Sequence, residues 1–371
     1  MLMTVGFPNP SARPRADRGL REPCWLAVFI AAATFGMTSF RPVDAQEVDF
    51  RSVTLTIGIQ SSGSSVATAL IEASGAFADT PYKVIWANFD GANTAVEALH
   101  AGAIDLDVGL NFSAPVLNQA NATKAWTVED RPYVIIGANL QLNRAGTAIV
   151  VHPDSGIKSV ADLSGKSVSF AKGTANHYFL ALAADKAGLD INSINPVLMP
   201  LAEARAAFVG RSVDALVTAS YNARPLVTNG DGLILTTSEG LYETYSWFVA
   251  RLDVLKDPAR AAATADVLAR LQRSSLWQSE NLDKVADIFV SEAHQKPKDA
   301  ELNAAEIRSV YVPIDDNVIA ANQSQADVFL AAGVAKSKID ARVAFDSRFN
   351  GIVMANPSSI RSDLAATGQS N

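Results

Sequence analysis

Twice in this chain a short apolar strand runs through glycine and small hydroxyl residues straight into an alanine-rich helix, and that arrangement restricts the fold sharply. In the first case, alternation over Val53-Thr-Leu-Thr-Ile-Gly-Ile59 predicts a strand ending at Gln60. Ser61, Ser62, Gly63, Ser64 and Ser65 follow, and then a helix over 66–76. In the second, a strand over 167–171 empties into Lys172-Gly173-Thr174, with a helix over 175–187 beginning at Ala175. Glycine lets the backbone turn tightly, and the Thr174 hydroxyl suits an N-cap. The first N–H groups of such a helix lack intrahelical partners and sit at the positive end of its dipole, so the junction can seat an anion. An ordinary capped helix after a strand has the same spacing. In open α/β sheets, however, ligands bind beyond the carboxyl ends of the strands. Two such junctions, one in each half, point to two lobes facing one ligand.

The rest of the chain supports an α/β fold with parallel-rich sheets and helices on both faces. Strands are expected at 83–89, 105–110 and 132–142, with a helix over 92–101 closed by Gly102. A new series opens at Thr147, with strands at 147–151, 196–199, 213–218 and 233–236 and a helix over 202–209. A strand over 245–250 crosses back, and helices follow at 261–273, 277–294 and 316–332. The expected organisation is a leader over 1–45, a first lobe from 46–142 and 241–356, a second lobe from 143–240, and a polar tail over 357–371. Two crossings, near Asn143 and over 237–245, would form the hinge.

Charge and cysteine usage exclude several function classes. Arg13, Arg15, Arg18 and Arg21 precede an uncharged stretch over 24–37, and Val43-Asp44-Ala45 offers small residues for cleavage before Gln46. An export signal is expected, since that apolar stretch is shorter than the ~20 residues of a spanning helix. Of 31 basic and 38 acidic residues, five and three lie before residue 46, leaving the remainder at a net −9. Such a balance argues against nucleic acid, whose phosphates require clustered Lys and Arg. Cys24, inside the leader, is the sole cysteine, so the exported product would lack disulfides, zinc–thiolate sites and cysteine nucleophiles.

Enzyme motifs are missing as well. Gly165-Lys166-Ser167 mimics the end of a phosphate loop, but Val160 stands where the first glycine belongs. His100, His152, His177 and His294 show no metal-ligand spacing. Neither a cofactor nor a metal is expected. Only His177, in the first turn after Gly173-Thr174, is placed to donate to an anion. The other donors near strand ends are mostly neutral, among them Gln60, Asn111, Ser113, Ser220 and Tyr221, with Arg205 as a possible cation.

Several segments carry a family resemblance: Ile57-Gly-Ile-Gln60, Val96-Glu-Ala-Leu-His-Ala-Gly-Ala-Ile-Asp-Leu106, Ile157-Lys-Ser-Val-Ala-Asp-Leu-Ser-Gly-Lys166, Lys172-Gly-Thr-Ala-Asn-His-Tyr178 and Glu203-Ala-Arg-Ala-Ala-Phe208. In that order, across 53–345, the chain resembles the periplasmic substrate-binding proteins of ABC importers for aliphatic sulfonates, taurine and nitrate. The resemblance implies a two-lobed type II periplasmic binding protein fold, a small anionic organic solute in the cleft, and delivery to an inner-membrane permease with its cytoplasmic ATPase. A monomer in the periplasm is expected. From their placement at strand ends and helix starts, the expected ligand contacts are Gln60, Ser61, Ser62, Gly63, Ser64, Asn111, Ser113, Gly173, Thr174, Ala175, His177 and Ser220, with Trp86, Tyr221 and Trp247 as candidates along the tail. The chain departs from the sulfonate binders where Asn88-Phe89 replaces Glu-Phe and Ala219-Ser220-Tyr221-Asn222 replaces Trp-Asp-Pro-Tyr. Fewer carboxylates suggest a ligand without a cationic group. Two alternatives stand beside this reading. One is a thiamine-pyrimidine-precursor binding protein or an enzyme on the same fold, the enzyme disfavoured by the absent cysteines. The other is a sensory ligand-binding protein.

Overall fold

The computed structural model describes residues 48–60, 65–89, 91–143, 145–199 and 201–354. The expected leader, the run Ser61, Ser62, Gly63 and Ser64, and the tail over 357–371 lie outside the described residues. In chain order come β1 (Thr54–Gln60), α1 (Val66–Ala73), β2 (Lys83–Phe89), α2 (Ala92–Ala101), β3 (Leu106–Asn111), α3 (Ala114–Ala120) and β4 (Tyr133–Gln141). After a crossing follow β5 (Thr147–Val151), β6 (Ser167–Ser169), α4 (Ala175–Lys186), β7 (Asn195–Val197), α5 (Leu201–Val209), β8 (Ala215–Ala219), α6 (Ser220–Thr228) and β9 (Leu233–Thr237). The return comprises β10 (Tyr245–Arg251), α7 (Leu252–Lys256), α8 (Pro258–Glu280), α9 (Leu282–Ala293), α10 (Pro297–Glu306), β11 (Ser309–Val312), α11 (Asp316–Ala331) and α12 (Asn350–Met354).

These strands make two sheets, a six-stranded one ordered β11-β4-β10-β3-β1-β2 and a five-stranded one ordered β7-β6-β8-β5-β9. Parallel pairing is confined to β2-β1-β3 and β7-β6-β8, where helical crossovers return the chain to the same end. The strand that opens each series after a crossing, β5 or β10, runs antiparallel to both its neighbours. Both sheets are therefore mixed.

Side-chain alternation builds the layers. Leu55, Ile57 and Ile59 of β1 bury against Val267, Leu268 and Leu271 of α8. The opposite face of the same sheet packs Leu99, Val116, Trp247 and Phe329. In the second sheet, Phe179 and Leu180 of α4 cover one face, and Phe208 and Leu226 the other. The crossings run side by side: the Gln141 N–H donates to Thr244 O at 2.9 Å, and the Ser238 N–H to Thr147 O at 2.9 Å. Tyr242 braces them, with its ring 5.0 Å from Tyr178.

Some elements differ from the sequence expectation. The helix expected over 277–294 is two helices, because α8 runs on to Glu280 and Asn281 breaks the path with φ −128°, its Nδ2 donating to Trp277 O at 2.8 Å. The start of α8 moves forward to Pro258, where Asp257 accepts from the Ala259 and Arg260 N–H groups and proline fits the first helical position. Helix α6 lies where the sequence pattern places no helix, and it carries Pro225 internally.

Candidate functional site

The Gly173 junction is built by its own side chains. Gly173 adopts φ +72°, and an added Cβ there would lie 2.9 Å from Leu117 Cδ1 of α3. Glycine is needed both for the turn and for this close approach between the two sheets' units. Thr174 caps α4: its Oγ1 accepts from the Asn176 N–H at 3.2 Å and donates to Ala171 O at 2.8 Å. The Gly173 N–H donates to His177 Nδ1 at 3.3 Å. His177 is buried between Phe170 and Phe329, with ring centroids 4.9 and 5.8 Å away. Burial, and then the Lys172 ammonium, push its pKa down to about 4. The imidazole is thus neutral and serves as the acceptor that holds the Gly173 turn.

A third junction of the same kind follows β2. Gly91 stands at the N-cap of α2 in extended conformation, and no side chain caps the helix. Only Thr94 Oγ1 turns back, donating to Gly91 O at 2.9 Å. Beside it, Asn111 Oδ1 accepts from the Ser113 N–H at 3.0 Å, and Gln325 Nε2 donates to Ser113 Oγ at 3.0 Å.

These junctions open on one cavity of about 1120 Å³. Its near end is lined by Gln60, Gly91, Asn93, Thr94, Asn111, Ser113, Lys172, Gly173 and Thr174. Its far end runs between α2 and α3 to His100, Asn118 and Trp126. The N-termini of α2 and α4, one from each sheet's unit, therefore face the same space with their positive dipole ends. Lys172 is exposed on the rim, and Lys124, at the far end, is paired with Asp130. Among the described residues no group of three His, Cys, Asp or Glu side chains is placed to hold a metal.

Beneath Gln60 lies Asp107, fully buried on β3. Its carboxylate occupies the space a Cβ on Gly58 would fill, 2.6 Å from Oδ2. Neither carboxylate oxygen has a hydrogen bond of normal geometry, and the same holds for the buried Gln60 Nε2 and Tyr133 Oη. Burial pushes the Asp107 pKa up to about 7, against the weaker pull of the nearby Gln60 amide.

Of the residues expected from sequence, Gln60, Asn111, Ser113, Gly173 and Thr174 come together at the cavity. Others do not line it. Ala175 opens α4 behind Thr174, and His177 sits in the core behind the turn. Ser220 braces the hinge, its N–H donating to Gly146 O at 3.0 Å and its hydroxyl to Ala145 O. Tyr221 is 54% exposed on α6, and Arg205 is exposed on α5. Trp247 is a core residue with no exposed surface; its Nε1–H donates to Phe112 O at 3.0 Å and its ring stacks on Tyr245. The aromatic surface of the cavity comes instead from Trp126, which sits in an irregular segment with no periodic signal. Asn93 and Thr94 were readable by the rule that found Gly173, since Gly91 follows a strand and opens a helix. Lys172, beside Gly173 in the same junction, adds a cation to the rim.

Known proteins share this architecture. A family model described as NMT1/THI5 like matches residues 90–240. A protein of Escherichia coli K12 named as an aliphatic sulfonates-binding protein is 27% identical over 269 residues, covering 70% of this chain and 78% of the relative. A protein of the same description in Bacillus subtilis 168 is 28% identical over 307 residues, covering 80% and 86%. Among solved structures, the alkanesulfonate-binding protein SsuA of Xanthomonas axonopodis pv. citri, bound to MOPS, superposes with a TM-score of 0.67 at 25% identity, covering 79% of this chain and 98% of that one. Two mixed sheets, a double crossing and a cavity beyond the strand ends define a two-lobed solute-binding protein of the type II periplasmic architecture. The chain belongs to the sulfonate/nitrate-binding (NMT1/SsuA-like) family of periplasmic solute-binding proteins of ABC importers. It is by that membership a binding component, not an enzyme, and it works outside the inner membrane with a permease and its ATPase.

Proposed function

We propose that the solute captured in this cavity is a small organic anion of the sulfonate type, with its head group between the N-termini of α2 and α4. The observation that carries this reading is the convergence of those two helix ends, one from each sheet's unit, on a cavity rimmed by amides, hydroxyls and Lys172. A sulfonate stays ionised at every physiological pH, and burying it requires donors for its oxygens more than a countercharge. Backbone N–H groups at two helix ends meet that need. The aliphatic sulfonate names of the relatives support the same class. The tail would run along Leu117 toward Trp126. A pyrimidine precursor is the second reading, favoured by the NMT1/THI5 description of the matching family. An enzyme of that lineage is disfavoured, since no cysteine follows Cys24.

Cleavage after Ala45 would release a monomer beginning near Gln46, with one lobe from 46–142 and 241–356 and the other from 143–240. A thermal-shift panel of alkanesulfonates, sulfate esters, nitrate and aminopyrimidines tests the ligand class, because a bound ligand stabilises the fold by mass action. Alkanesulfonates should raise the melting midpoint and aminopyrimidines should leave it unchanged. The reverse pattern would replace the first reading with the second.

A further inference from the structure

A second set of side chains joins the two units away from the cavity. Arg224 lies on α6, which packs against the five-stranded sheet through Ala223 and Leu226. Its guanidinium reaches α10, whose Ala300 and Ala304 bury against Leu70 of α1 and against Val285 and Ala286 of α9. These helices belong to the unit of the six-stranded sheet. Nη1 of Arg224 donates to Asn303 Oδ1 at 2.7 Å, and Nη2 forms an ion pair with Glu306. Asn303 Nδ2 in turn donates to Gln295 Oε1 at 2.8 Å, which orients the amide with its oxygen toward the arginine. The Arg224 and Glu306 side chains are 17% and 28% exposed, so the pair is sheltered and doubly held, unlike a loose surface contact. Among the ion pairs of the described residues it is the one that crosses between the two units. Other crossing contacts are neutral, among them Tyr178 Oη to Ser324 Oγ at 3.0 Å, Gly173 against Leu117 and Val334, and the rings of His177 and Tyr178 against Phe329. None of Arg224, Asn303 and Glu306 lines the cavity.

We propose that Arg224, Asn303 and Glu306 form a latch that holds the two lobes closed, which makes Arg224 a positioning residue for solute capture. Covalently the units are joined only by the two crossings, so rotation about that hinge is the soft motion of the molecule. An ion pair between α6 and α10 is made in the closed arrangement and broken in the open one. It therefore adds to the stability of the closed state alone. Apparent affinity scales with the fraction of molecules in the binding-competent state, so the latch tunes affinity without touching solute. Losing a charge-assisted hydrogen bond of this kind shifts such an equilibrium about tenfold.

The test needs no solute, so it stands or falls separately from the sulfonate reading. Lys83 and Lys186 are exposed, one in each unit, and the exported chain would offer no competing thiol. Spin labels on Lys83→Cys and Lys186→Cys give the interlobe distance distribution of the purified protein by pulsed electron resonance. Arg224→Ala and Glu306→Ala should each raise the ratio of open to closed molecules about tenfold, and the double variant should add nothing further. Exchanging the charges, Arg224→Glu with Glu306→Arg, should restore the closed population. If Arg224→Ala does not fold, Glu306→Ala and Asn303→Ala carry the same comparison. An unchanged distribution in folded Glu306→Ala overturns the latch, as does an opening in Arg224→Ala that Glu306→Ala does not share.

Discussion

Asp107→Asn should make this protein less sensitive to rising pH. The carboxyl sits on β3 opposite Gly58 and Val249, has no exposed surface, and lacks a hydrogen-bond partner of normal geometry for either oxygen. Its pKa rises from 3.8 to about 7, chiefly through burial. Between those values the folded chain holds a proton that the unfolded chain has released, so unfolding releases a proton and stability falls as pH rises. The full contribution of the protonated group is present below about pH 4 and is lost as pH climbs through about 7. Three units at ~1.4 kcal/mol each set the loss at up to about 4 kcal/mol. Asparagine keeps the shape and cannot ionise. Urea unfolding of both proteins at pH 4.5, 6 and 8 measures the difference directly. The variant should gain on the wild type at each step and lead by several kcal/mol at pH 8. A difference that stays constant across the three pH values would refute the assignment of a buried, unpaired acid.

Other positions give shorter tests. His177 has its pKa lowered to about 4, so the unfolded chain takes up its proton first; stability should fall by roughly 3 kcal/mol as pH drops from 6.5 to 4, and NMR titration of the ring should show no protonation above pH 5. Because Nδ1 accepts the Gly173 N–H, protonation should also loosen the turn, and solute affinity should decline toward low pH. Thr174→Ala removes a cap and should cost about 1 kcal/mol in chemical denaturation. Gly173→Ala forces a side chain to φ +72° and into Leu117, and should cost at least 1–2 kcal/mol while weakening solute binding in calorimetry. Gly58→Ala drives a Cβ into Asp107 and Ile104 and should destabilise by about 1–3 kcal/mol in the same denaturation assay.

The alternation of strand and helix was legible because each element carries its own period. β2, α2 and β5 fall where the pattern places them, and the crossings lie at the two breaks in the series. Antiparallel entry of β5 and β10 was not legible, since a strand's direction within a sheet depends on where the chain has come from. The near end of the cavity was legible through Gly173 and Gln60, residues at strand ends whose local chemistry announces them. Trp247 misled because a tryptophan after a crossing reads equally well as cleft or core, and its burial is decided by Tyr245 on its own strand together with Phe112 and Phe345 from two distant segments. His177 misled for a similar reason: its turn was visible, but the Phe329 ring that buries it lies 152 residues away on α11. Asp107 gave no signal, because a carboxylate in an alternating strand normally faces water.

The central claim, that an organic anion sits between the N-termini of α2 and α4, is tested most directly by a crystal structure of the exported protein with an alkanesulfonate bound. The account predicts sulfonate oxygens within about 2.7–3.2 Å of backbone N–H groups at both helix ends, with the tail directed along Leu117 toward Trp126. A head group bound elsewhere in the molecule, with those N–H groups left to water, would contradict it.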